Sequence, residues 1–83
     1  AVNTPVTLIA DLKRSGTQAI YQWRAISGGE MDVWHGVSKS VTFRSETSPE
    51  TVAVFSQPGD YIAECVVQLN GREAVKRFYI HVL

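Results

Sequence analysis

Apolar and polar residues alternate with a period of two along most of this 83-residue chain, the repeat of a strand that buries one face. In VTLIADL, residues 6–12, Val6, Leu8, Ala10 and Leu12 share a face, and KRSGT with Gly16 follows as a polar turn. In AIYQWRAI, residues 19–26, Tyr21, Trp23 and Ala25 face one way and Gln22 and Arg24 the other. SGGE is a flexible break, and MDVWHG, residues 31–36, is too short for its period to be read. SVTFRS alternates again through Val41 and Phe43, ETSPE turns the chain, and TVAVF, residues 51–55, is strand-like. After the turn SQPGD, the strand YIAECVVQL sets Tyr61, Ala63, Cys65, Val67 and Leu69 on one face. Asn70-Gly71 then carries the hairpin signal, because a type I′ turn needs positive φ at both central residues. A last strand runs from about Glu73 to Leu83, with Ala74, Phe78, Ile80 and Val82 on one face. Six or seven short strands, turns every 8 to 12 residues and no helical period predict an all-β, antiparallel β-sandwich, a single domain over residues 1–83.

Composition adds mostly exclusions. A hydrophobic content of 45% is that of a folded chain. Eight basic residues balance eight acidic ones, so no strong field draws nucleic acid or an anionic membrane surface. No apolar run approaches the length that inserts in a bilayer as a helix. The chain opens AVNTP, with no initiator Met and no signal peptide, and is expected to be a piece of a larger protein. Its one cysteine, Cys65, excludes an internal disulfide.

Candidate chemistry is sparse. Cys65 lies between Ala63 and Val67 on an apolar face, where core packing is expected; a nucleophile would need an adjacent base and partial exposure. His35 and His81 have no ligand spacing with it. Asp11, Glu30, Asp32 and Asp60 are scattered, with no acidic loop of the kind calcium requires. No nucleophile elbow is present. The expectation is no enzyme, no metal and no cofactor.

Two features point to binding. Trp34, between Gly29 and Gly36, either folds over the open end of a small core or stands exposed as an anchor for a protein or a sugar. The outward face of the three longest strands carries Ile20, Gln22, Arg24 and Ile26, then Ile62, Glu64, Val66 and Gln68, then Val75, Arg77, Tyr79 and His81. If the Cys65 strand is central, Glu64 lies between Arg24 and Arg77 as a ladder of opposite charge. The apolar members, Ile62, Val66, Val75 and Tyr79, read either as ordinary strand formers or as part of a contact face.

YQWRAISGG followed by TVAVFSQPGDYIAECVVQLNGREAVKRFYIHVL is similar to the polycystic-kidney-disease (PKD) repeat family of immunoglobulin-like sandwiches, a resemblance that covers about residues 6–83. Trp23 stands where that family has its central-strand Trp, Phe55 matches the aromatic before the turn, and Pro58, Gly59 and Tyr61 match the turn itself. Where the family carries an Asp-Phe-Gly-Asp-Gly type segment after the Trp, this chain has Arg24-Ala25-Ile26-Ser27-Gly28-Gly29. The resemblance implies about seven strands without a disulfide, and Trp23, Phe55, Tyr61, Cys65 and Phe78 as structural core. It also implies an extracellular or cell-surface setting, and work as a spacer in contact with neighbouring domains or another protein. The competing expectations are a carbohydrate-binding module of a secreted hydrolase, using Trp34, Tyr79 and Tyr21, of which alternation puts Tyr21 on the face opposite Tyr79 and so argues against one stacking platform, and an assembly or decoration domain.

Overall fold

The computed structural model describes residues 1–10, 19–69 and 71–83. Among them there is no helix. Eight strands form: β1 (Val6–Ile9), β2 (Ile20–Ser27), β3 (Met31–Asp32), β4 (Val37–Ser38), β5 (Val41–Phe43), β6 (Glu50–Phe55), β7 (Gly59–Leu69) and β8 (Arg72–Val82). They make two three-stranded antiparallel sheets, ordered β1-β6-β5 and β2-β7-β8, and a separate β3-β4 hairpin. The strand count exceeds the six or seven of the pattern because the ambiguous segment after Gly29 splits into two strands of two residues each.

One core joins the two larger sheets. Leu8, Ala53 and Phe55 come from the first, and Tyr21, Trp23, Tyr61, Ala63, Cys65, Val67 and Val82 from the second. These are the alternating positions of their strands, each buried because its neighbours in sequence point the other way. Trp23 is the centre of this core. Its ring packs at 5.4 Å from Phe78 and 6.2 Å from Phe43, and its indole Nε1–H donates to the Ser48 carbonyl at 2.7 Å. Tyr61 closes one end: its ring lies 4.7 Å from Phe55, and its hydroxyl donates to the Gln57 carbonyl at 2.6 Å. Cys65 is a free, fully buried thiol, and burial pushes its pKa up. A thiol so held stays protonated and unreactive.

Three positions depart from simple alternation. Ala74, expected in the core, is exposed. Lys76, two residues on along the same face, is exposed too, its Nζ donating to the Ile9 carbonyl at the end of β1 (3.1 Å). Ile26, expected on the outward face, falls at a β-bulge between Ala25 and Ser27 and is half-buried. Glu64 is buried, although it is on the outward face. Leu12, Asp11 and the KRSGT turn lie outside the described residues, as does Asn70. The strands on either side of Asn70 and Gly71 pair Leu69 with Arg72, and Gly71 has φ +76°, as a two-residue hairpin loop requires.

Candidate surface site on the outer face of β2, β7 and β8

Strand register builds the outer face row by row. Arg24 of β2 stands opposite Glu64 of β7, and Glu64 opposite Arg77 of β8. Arg24 donates from Nε (2.8 Å) and Nη2 (2.6 Å) to Glu64 Oε1, and Arg77 Nε donates to Glu64 Oε2 at 3.4 Å. The predicted charge ladder is therefore present. Glu64 is only 3% exposed, with Ile62 and Val66 two residues away on the same strand face and both carboxylate oxygens bonded by Arg24 and Arg77. Burial alone would raise the pKa of Glu64, but hydrogen bonds from Arg24 and then Arg77 outweigh it and hold the carboxyl below its ordinary value.

That shift has a sign. A carboxylate whose folded pKa is depressed stabilises the fold above its unfolded value, about 4.3, and the contribution disappears as pH falls through the lower folded value. Acid unfolding of the native chain is thus expected to include a Glu64 component below about pH 4.3. Glu64→Gln should remove that component, giving a flatter stability-against-pH curve in denaturant titrations. An unchanged acid limb would show that the clamp does not tie protonation to folding.

Around this clamp the face is mixed. Ile20, Val75 and Tyr79 are exposed, the last at 74%, while Ile62 and Val66 are half-buried. At one end His81 Nδ1 meets Asp60 Oδ1 at 2.5 Å. At the other, a shallow groove of about 310 Å³ lies between Ile20, Gln22, Arg24, Val66, Gln68 and Glu73. All six contact residues anticipated on the sheet, Arg24, Ile62, Glu64, Val66, Arg77 and Tyr79, therefore share one surface.

Trp34 is elsewhere, on the turn between β3 and β4, and is 90% exposed. Of the two expectations, folding over the core is not what the structure shows. The turn is built by Asp32. Its Oδ1 accepts the Trp34 N–H (3.0 Å), its Oδ2 pairs with His35 Nδ1 (2.7 Å), and its carbonyl accepts the Gly36 N–H (2.8 Å). The bond to His35 is the largest influence on the Asp32 carboxyl, and the net effect holds its pKa below the ordinary value. Val33, 85% exposed, stands beside Trp34. Sequence reasoning missed Val33 and the Asp32–His35 pair; the available signal was an Asp opening a turn that closes on Gly. Tyr21, named as a possible sugar-stacking partner, is 8% exposed and belongs to the core.

Among the described residues no three of His, Cys, Asp and Glu converge as metal ligands would. Comparison of the chain with protein-family models, with curated proteins and with solved structures finds no match.

Proposed function

We propose that this chain is an immunoglobulin-like, PKD-like β-sandwich module without catalytic function, working as a structural spacer and protein-contact domain at the cell surface or outside the cell. The sheet orders support the fold reading. In an immunoglobulin sandwich, strands A, B, E and D form one sheet and C, F and G the other. Here β1, β6 and β5 take the places of B, E and D, and β2, β7 and β8 those of C, F and G. Trp23 on the C-like strand and the Tyr61 hydroxyl bonded back to Gln57 fit the same scheme.

One observation carries the contact reading: Glu64, 3% exposed on a sheet face turned to water, held under two arginines beside exposed Ile20, Val75 and Tyr79. Its carboxylate fixes both guanidinium groups, so a partner meets charged and apolar groups already positioned, at low ordering cost. The exposed Trp34 favours the second reading, carbohydrate binding, but its companion aromatic Tyr79 lies on β8 rather than on the same turn. An amide-shift titration separates the two. With domains that adjoin this one in its parent protein, shifts are expected at Arg24, Glu64, Arg77 and Tyr79. Shifts confined to residues 32–36 with a soluble polysaccharide, and lost in Trp34→Ala, would replace protein contact with sugar binding.

A further inference from the structure

The sheet edges are unequal. β5 has three residues and β1 four, and the Ile9 carbonyl at the end of β1 already accepts Lys76. On the outer side of β2, the Trp23 N–H donates to the Glu46 carbonyl at 2.8 Å, away from its β7 partner. β8 differs. It runs eleven residues, pairs with β7 without a register shift, and contains neither Pro nor Gly. It is the last strand of its sheet, and among the described residues no strand pairs with its outer side. An antiparallel neighbour uses the N–H and C=O groups of alternate residues, so the other half of those in β8 point outward. A long, regular edge of this kind is a template for another strand.

The charges along β8 select the strand. A two-fold axis perpendicular to the sheet sets each residue opposite its mirror position in a second copy. With the axis at Val75, Glu73 stands opposite Arg77 of the second copy, twice over by symmetry, and Ala74 opposite Lys76. With the axis at Ala74, Arg72 meets Lys76; at Lys76 or Arg77, each meets itself; at Phe78, no opposite charges pair. Like charges directly opposite are destabilising and opposite ones stabilising. Glu73 is free to take part, its contact to Gln68 Nε2 being exposed and 3.5 Å long. Arg77 binds Glu64 only through Nε.

We propose that β8 pairs antiparallel with β8 of a second copy of this chain, about a two-fold axis at Val75, joining two three-stranded sheets into one of six. The strand edge adjoins the outer face and shares Arg77 with it; sedimentation reads the edge and the amide-shift titration at Arg24 and Glu64, on β2 and β7, reads the face, so each reading can fail without the other. The test is sedimentation equilibrium of the chain from about 10 µM to about 1 mM, the range in which weak association registers. A monomer–dimer equilibrium is expected. Glu73→Arg, which sets like charges opposite each other twice, should weaken it at least about tenfold while the thermal melt stays unchanged. Val75→Cys should form an intermolecular disulfide under mild oxidation, because paired strands bring the two Cα atoms within bridging distance. A chain monomeric throughout the range overturns the proposal. So does a dimer indifferent to Glu73→Arg, or one that cross-links through Tyr79→Cys and not through Val75→Cys.

Discussion

Trp23→Ala is expected to lower the unfolding free energy by about 3–5 kcal/mol, the usual cost of emptying a large aromatic site in a core. Trp23 is 1% exposed and touches rings from both sheets, Phe43 on β5 and Phe78 on β8. Deleting it removes ring contacts that join the two sheets, and it leaves the Ser48 carbonyl without its indole donor. Native stabilities lie at about 5–15 kcal/mol, so the variant should be marginal or unfolded at 25 °C. Trp23→Phe keeps most of the ring contact and loses the N–H, and should cost clearly less than Trp23→Ala in urea titrations. Equal losses in the two variants would mean that the hydrogen bond to Ser48, rather than packing, holds this strand.

Gly28→Ala is the second large effect, and it arises from backbone geometry. Gly28 has φ +110°, a conformation that L-residues with a Cβ rarely adopt. A Cβ placed there would lie 2.5 Å from Tyr61 Cδ2 and 2.6 Å from the Asp60 carbonyl oxygen. The tyrosine ring is pinned by Phe55 and by its bond to Gln57, and the carbonyl belongs to β7, so neither yields easily. Strain and overpacking together predict a loss of about 2–5 kcal/mol, read from denaturant midpoints. A loss below about 0.5 kcal/mol, the ordinary range of a surface change, would show that the β2–β3 connection does not press on Tyr61 as described.

Much of this architecture was legible in the sequence, and the reason is visible at Tyr21-Gln22-Trp23-Arg24-Ala25. Strict alternation assigns each side chain to a face, and pairing with β7 then follows from the shared pattern. The Arg24–Glu64–Arg77 row was legible for the same reason, since three adjacent strands with one period leave little freedom of register. Burial of Glu64 was not, because it depends on what lies across the strand as well as on the side it faces. The exposure of Ala74 was hidden as well, because alternation gives the face a side chain takes and not what covers that face. The β3–β4 hairpin was illegible because two-residue strands have no period. For Trp34 the pattern offered folding over the core or exposure, and the turn that carries it outward is built by four hydrogen bonds to Asp32.

The central proposal is that the face of Arg24, Glu64, Arg77 and Tyr79 is a protein-contact surface. Hydrogen–deuterium exchange, comparing these residues alone with the same residues joined to any flanking protein domains, tests it directly. Exchange should slow in the joined form over residues 62–66 and 75–79, with residues 32–36 unchanged. Identical exchange over 62–66 and 75–79 in both would contradict the claim, leaving that face open to solvent.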